Sequence, residues 1–318
     1  MNDDLPLAPW QQRMHDHAAA AIDAGRMGHA LLFCGPPMLG KRRVAECLAW
    51  HVLGCERDAR ARQLFDAGTH PDFTAIGFVP TKDGSRMRTE IVIEQVRELS
   101  EKLALTPQYG TTKVALIDPA DAINNAACNA LLKTLEEPQP GRYLWLVAAN
   151  PMRLPATIRS RCQRLEFRLP PRVEALDWLL AQGHAEAAAV EALDAARGHP
   201  GLAAAWLRDG GIELRREVAA DLAALARGEL SASEAARRWT DDEGAGQRLG
   251  HAADLAAAKA AGLTDPGRTR RLAAWFGEAN RTRELLRTTV RADLAVAGLL
   301  LQWREAMGEG SEPAGRRR

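Results

Sequence analysis

Cysteine is sparse in this chain and never closely paired. Cys34, Cys47, Cys55, Cys128 and Cys162 are scattered, with no CxxC among them. That spacing offers no disulfide framework and fits reduced thiols in a cytosolic setting. It also argues against structural zinc. Cys55 and His70 stand 15 residues apart, with no further Cys or His spaced to complete a tetrahedron. Long apolar runs are missing too. None approaches the roughly 20 residues that cross a bilayer, so no membrane role is expected. The opening residues, Met1-Asn2-Asp3-Asp4, are acidic and lead into no apolar h-region, unlike a signal peptide. Charge of one sign is not in excess. The net charge is +1, so there is no global basic footprint for nucleic acid. Contact with DNA would need a local patch or a basic partner. No internal repeat is found. What is present is ordinary for a soluble globular protein, with 46% hydrophobic and 26% charged residues. At 318 residues, two or three domains are expected rather than one.

Apolar runs and helical periods alternate through the first half. Residues 10–24 have helical spacing at Trp10, Met14, Ala18 and Ile22. Ala30 to Cys34 is a short strand of buried type. It leads into Gly35-Pro36-Pro37-Met38-Leu39-Gly40-Lys41-Arg42 and a helix through about Leu53. A charged segment, Glu56 to Arg62, precedes Gly68-Thr69-His70-Pro71-Asp72 and a strand at Phe73–Ile76. A loop spans Pro80 to Thr89 and contains Lys82-Asp83-Gly84. Residues 91–104 read as an amphipathic helix with Val92, Val96, Leu99 and Leu103 on one face. Strands follow at Lys113–Ile117, Tyr143–Ala148 and Arg164–Phe167. Between them, residues 125–137 form a helix that Pro138 stops. This alternation predicts an α/β fold with a parallel sheet covered on both faces. After Leu169-Pro170-Pro171 no strand pattern recurs. Short helices to about Leu207, a turn at Gly198-His199-Pro200-Gly201, a linker at Gly210-Gly211 and an Ala/Leu/Arg-rich helical region to Met307 are expected. Arg283, Leu286, Val290 and Leu294 fall at helical spacing there.

Gly35-x4-Gly40-Lys41 fits a phosphate-binding P-loop up to its lysine. The next residue should be a hydroxyl that holds Mg²⁺, and here it is Arg42, which repels a cation. Two readings stand: a phosphate cradle, or a preserved turn with no ligand. Asp118 closes a strand, as a Mg²⁺-holding acid does. Its neighbour is Pro119, where a hydrolytic site puts a glutamate, so a plain turn into a helix is the simpler reading. Loss of both the hydroxyl and the base argues against hydrolysis in cis. Arg161 follows a connection between strands and can sit on the rim of the sheet. By pattern alone it is a surface arginine in an ion pair. In a neighbouring subunit's site, such a residue contributes about 10³ to 10⁵ in rate. Glu136-Glu137 looks like a carboxylate dyad, but before a proline it reads as a solvated helix end with no acid/base role.

Asn129-Ala130-Leu131-Leu132-Lys133-Thr134-Leu135-Glu136-Glu137-Pro138 and Ile158-Arg159-Ser160-Arg161-Cys162 resemble the clamp-loader branch of the AAA+ family. So do residues 26–32, 67–72 and 94–97. The resemblance implies a RecA-like AAA+ domain with a degenerate P-loop (residues 1–168), a helical lid (169–209), a helical collar that mediates assembly (210–307) and a disordered tail (308–318). It implies a place beside ATP-hydrolysing gamma/tau subunits and the delta subunit, acting on the sliding clamp and primer–template DNA. The Ser-Arg-Cys arginine of that family acts in trans, and it falls on Arg161. Gly35, Gly40, Lys41 and Asp118 fall on its nucleotide site. Three cysteines of the zinc module that relatives carry fall on Glu56, Ala59 and Arg62. The first sensor falls on Ala149 and the lid arginine on Gly201. With Arg42 and Pro119, five parts of a hydrolytic or metal site are replaced while Arg161 remains. The implied role is a non-hydrolysing stator that needs no cofactor and no zinc, with ATP binding at the degenerate P-loop left open, within a DNA-directed DNA polymerase (nucleotidyltransferase) assembly in the cytoplasm. The alternatives are an ATP-hydrolysing gamma/tau-like motor and a stand-alone DNA-binding AAA+ protein.

Overall fold

The computed structural model describes residues 6–81, 84, 86–286 and 288–307. The expected tail at 308–318, the acidic opening at 1–4 and part of the loop at 80–89 lie outside the described residues. The chain divides into two compact units, Met1–Ala204 and Ala205–Arg318.

Five strands form one sheet in the first unit. They are β1 (Ala30–Cys34), β2 (Phe73–Ile76), β3 (Lys113–Ile117), β4 (Arg142–Ala148) and β5 (Gln163–Glu166). Their order is β2-β3-β4-β1-β5, and every pairing is parallel. Both faces are covered, which is why β1, and β3 after Lys113, are apolar without alternation, and both are buried along their whole length. Side chains still alternate across the sheet. Leu31, Phe33, Leu116 and Trp145 pack on one side with Val44 and Leu48 of helix α2 (Lys41–Val52). Leu32, Ala115, Ile117 and Leu146 pack on the other. There they meet α4 (Ile93–Ala104) and α5 (Asn125–Glu136), which contribute Val96, Leu99, Leu131 and Leu135.

Helix α1 (Pro9–Asp23) precedes β1 and α3 (Ala59–Asp66) precedes β2. The charged segment at 56–62 is therefore helical in part. Asp58 caps α3 by accepting from the backbone N–H groups of Arg60 and Ala61. Arg62 donates to the carbonyls of Cys55 at 3.2 Å and Glu56 at 3.0 Å, closing the loop that leads into α3. His51 bridges Asp23 and Glu56 at 3.1 and 3.3 Å. Asp72 is fully buried and gathers the segment before β3. Its carboxylate accepts from the backbone N–H groups of Gln108 and Tyr109 and faces Lys113 at 3.0 Å. Helix α6 (Ala156–Arg159) leads into β5, and α7 (Arg172–Ala181) and α8 (Glu186–Ala195) follow the sheet. The division between the units falls inside α9 (Pro200–Arg208).

The second unit holds α10 (Gly211–Arg227), α11 (Ala232–Thr240), α12 (Ala245–Ala261), α13 (Pro266–Leu285) and α14 (Ala292–Met307). Alanine and leucine fill its core around Trp239, Trp275 and Trp303. Each indole N–H is satisfied, by Asp221, the Leu299 carbonyl and the Leu222 carbonyl. Two expectations are corrected here. Gly210-Gly211 is no loose linker: Gly210 is the left-handed N-cap of α10, and Gly211 is buried where a side chain would strike the Trp206 ring. Arg283, Leu286, Val290 and Leu294 do not share a helix. Helix α13 ends at Leu285, and the backbone N–H of Thr288 turns back to the Leu285 carbonyl.

Candidate functional site

The turn from β1 to α2 is built by its glycines. Gly35 and Gly40 take φ of 133° and 79°, which other residues avoid. A side chain at either position would also collide, with the Phe167 carbonyl or the Gln11 side chain. Met38 takes φ of 59° without being a glycine, a left-handed conformation that costs energy.

The carbonyls of this turn are met from within the chain. Lys41, buried at the start of α2, donates its ammonium to the carbonyls of Gly35 at 2.8 Å and Pro36 at 2.6 Å. Burial pushes its pKa down, and the Asp118 and Asp121 carboxylates oppose that. His199 donates from Nε2 to the Pro37 carbonyl at 2.9 Å while its Nδ1 accepts from the Leu202 backbone N–H. That pair fixes a neutral tautomer, and burial holds the ring below its usual pKa. The Leu39 carbonyl takes the Trp10 indole and the Gln11 amide. The Met38 carbonyl lies against Gly201 so closely that a first side-chain carbon at 201 would overlap it.

Arg42 sits where a Mg²⁺-binding hydroxyl is expected. Its Nε donates to Glu46 at 2.7 Å, and its Nη1 stands 3.6 Å from Asp118. Burial pushes the Asp118 carboxyl up, and Arg42 and Lys41 pull it back. Asp121 accepts from the backbone N–H of Asn150 at 2.9 Å and anchors the segment after β4. A half-exposed guanidinium thus stands beside the acid, and the lysine ammonium rests on backbone carbonyls. Of the positions on which the resemblance places zinc-module cysteines, Arg62 is engaged with the backbone. It bonds two carbonyls, and the Cys55 thiol is buried, with its pKa pushed up to about 11 by burial first.

Gly35, Gly40, Lys41 and Asp118 thus come together at the end of the sheet where β1 stops. Arg161 does not join them. Leu31 pairs with Gln163 and Cys34 with Glu166, so β1 and β5 run side by side from the same end. The P-loop turn follows the last of these pairs and Arg161 precedes the first. Three strand steps, roughly 10 Å, separate the two edges before either loop is counted. At its own edge Arg161 donates from Nη1 to the Thr157 carbonyl at 2.9 Å and pairs through Nη2 with Glu136 at 2.7 Å. Its side chain keeps 37% of its surface exposed.

Three participants were not legible as such. Met38 occupies a loop position whose left-handed φ favours glycine. His199 reads only as part of a Gly-His-Pro-Gly turn. Glu136 reads as a solvated helix end. A methionine within a glycine-type turn was the one local signal.

A parallel sheet of this order, with a P-loop-type turn after β1, an acid closing β3 and helices following the sheet, defines the RecA-like AAA+ class. The family profile described as DNA polymerase III, delta subunit, matches residues 10–171. The DNA polymerase III subunit delta' of Pseudomonas aeruginosa is 36% identical over 73% of this chain and 71% of its own. That of Escherichia coli is 33% identical over 68% of this chain and 65% of its own, so the match spans just under two thirds of that relative. In fold, the chain resembles a DNA polymerase III gamma subunit-related protein from Thermotoga maritima. The TM-score is 0.51 at 16% identity, over 93% of this chain and 100% of that one. This chain belongs to the DNA polymerase III delta' family. No helix among the described residues is long and apolar enough to cross a membrane.

Proposed function

We propose that the chain is a non-hydrolysing clamp-loader subunit that completes a neighbouring subunit's ATP site with Arg161. The observation that carries this is the opposite placement of two features. Its own phosphate turn lies at one edge of the sheet with Lys41 and Arg42 committed there, and Arg161 lies exposed at the other edge. A guanidinium at that edge is out of reach of the chain's own phosphate turn and open to a site brought to it from outside. Its planar fork bonds two phosphoryl oxygens at once. Its charge counts most where negative charge builds in the transition state. The proposed partners are gamma/tau subunits, the delta subunit, the sliding clamp and primer–template DNA, in the cytoplasm. The proposed division of labour assigns residues 169–209 to a lid and 210–307 to ring assembly. No nucleotide, Mg²⁺ or zinc is required by the chain itself. A gamma/tau-type motor is the weaker reading, because it needs a turn open to phosphates and an acid beside Asp118, where Pro119 stands.

The test is steady-state ATP hydrolysis by the reconstituted loader with clamp and primed DNA, with sizing to verify assembly. Arg161→Ala should assemble normally and lower the rate in part, since other sites draw on other subunits. Arg161→Lys should restore it incompletely. A wild-type rate in a correctly assembled Arg161→Ala complex would refute the proposal.

A further inference from the structure

Glu136 is the last residue of α5, and a carboxylate is badly placed there. The C-terminal end of a helix carries partial negative charge and favours cations. Glu137 follows and Pro138 ends the run, so helix stability gives no reason for an acid at 136. The position is nonetheless rigid, since Ala127, Leu131 and Leu135 bury the inner face of α5 in the core. What the carboxylate does is grip Arg161 across 25 residues of sequence, at 2.7 Å through Nη2. The second grip is the Thr157 carbonyl on Nη1 at 2.9 Å. A guanidinium has five N–H donors, and these two contacts use two of them. The remaining donors stay available on a side chain that is 37% exposed.

We infer that Glu136 is the positioning residue of Arg161. It fixes the guanidinium in one orientation on the rim before a neighbour arrives. An exposed arginine otherwise samples many rotamers, and ordering it at the moment of catalysis costs rate. Glu136 touches no phosphate itself. A local choice that weakens its own helix and serves one distant arginine marks a functional residue. This inference rests on the trans role proposed for Arg161, and its test separates the two.

The experiment uses the reconstituted loader with clamp and primed DNA. It measures ATP-dependent kcat and KM for Glu136→Ala, Glu136→Gln, Arg161→Ala and the Glu136→Ala/Arg161→Ala double variant. Sizing and thermal midpoints verify assembly and fold. Glu136→Ala should lower kcat at unchanged KM, by up to about five-fold in the share of the rate that Arg161→Ala removes. Glu136→Gln keeps an acceptor for Nη2 and should recover most of it. In the double variant, Glu136→Ala should add nothing. If Arg161→Ala lowers kcat and Glu136→Ala leaves it unchanged or raises it, the positioning role is wrong and the trans role stands. If Glu136→Ala acts equally in the Arg161→Ala background, Glu136 works by another route. If Arg161→Ala itself has no effect, both readings fall.

Discussion

The Arg42 guanidinium stands 3.6 Å from the Asp118 carboxylate and donates to Glu46 on the same helix at 2.7 Å. A permanently charged side chain therefore stands beside the acid. Arg42→Thr restores the hydroxyl of an active P-loop and removes that charge. The isolated variant should still show no ATP turnover, because Lys41 stays on its carbonyls and Pro119 supplies no base. Stability should change by no more than about 1 kcal/mol, as the pair is partly exposed. Phosphate release and urea unfolding check both statements. Multiple turnovers by this single variant would show that Arg42 alone had been the block.

Gly201 is the second place where the turn is sealed. Its neighbour is the Met38 carbonyl, and a single added carbon overlaps that oxygen. Gly201→Ala should cost about 1 to 3 kcal/mol, the range for forced overpacking. Gly201→Arg should cost at least as much, since the first carbon is already in conflict. The readout is the urea midpoint. An unaltered midpoint in both variants would mean that α9 does not lie on the turn.

Asp72 is 1% exposed and Lys113 is 5% exposed. Burial pushes the Asp72 carboxyl up, but the N–H groups of Tyr109 and Gln108 and the Lys113 ammonium outweigh it, so its pKa is lowered. A carboxyl lowered on folding contributes stability that is complete above the unfolded value of about 3.9. That stability drains away as pH falls through the lower folded value. Asp72→Ala leaves Lys113 buried without its partner and should cost roughly 3 to 5 kcal/mol. Unfolding followed from neutral to strongly acid pH should show wild type losing stability below about pH 4, with a smaller acid slope in the variant.

His251 lies in the second unit, 2% exposed against the Trp206 ring. Neither ring nitrogen has a partner among the described residues. Burial first, then the nearby Arg215 charge, pushes its pKa down to about 4. The unfolded chain therefore takes up a proton near pH 6.5, well before the folded one does. Stability should fall by roughly 3 kcal/mol between those two values and then level. His251→Leu should remove that part of the pH dependence. A wild-type curve flat from pH 7 to 4 would contradict the buried neutral ring.

What could be seen from sequence was local. The buried runs at Ala30–Cys34 and Lys113–Ile117 are too short and too apolar for anything but interior strands. The glycines at 35 and 40 mark a turn whose backbone only they adopt. Arg42 and Pro119 announce what the turn lacks, since each stands next to the residue it spoils. What could not be seen depended on partners brought together by topology. Glu136 and Arg161 meet because α5 ends at the edge where β5 begins. His199 reaches Pro37 because the chain returns over the turn after the sheet is complete. Helix α3 was hidden for another reason: its Arg-rich surface masks an inner face of only Ala61 and Phe65. In the second unit, Arg283 to Leu294 kept a helical period across a break, because spacing does not register a turn at Thr288-Thr289.

The carbonyls at Gly35, Pro36, Pro37 and Leu39 all face donors supplied by the chain. Under the stator role proposed above, a turn held this way keeps one shape as cellular ATP rises or falls. Its neighbours would then cycle against a part that reads the same before and after every turnover, and timing in the assembly would originate elsewhere.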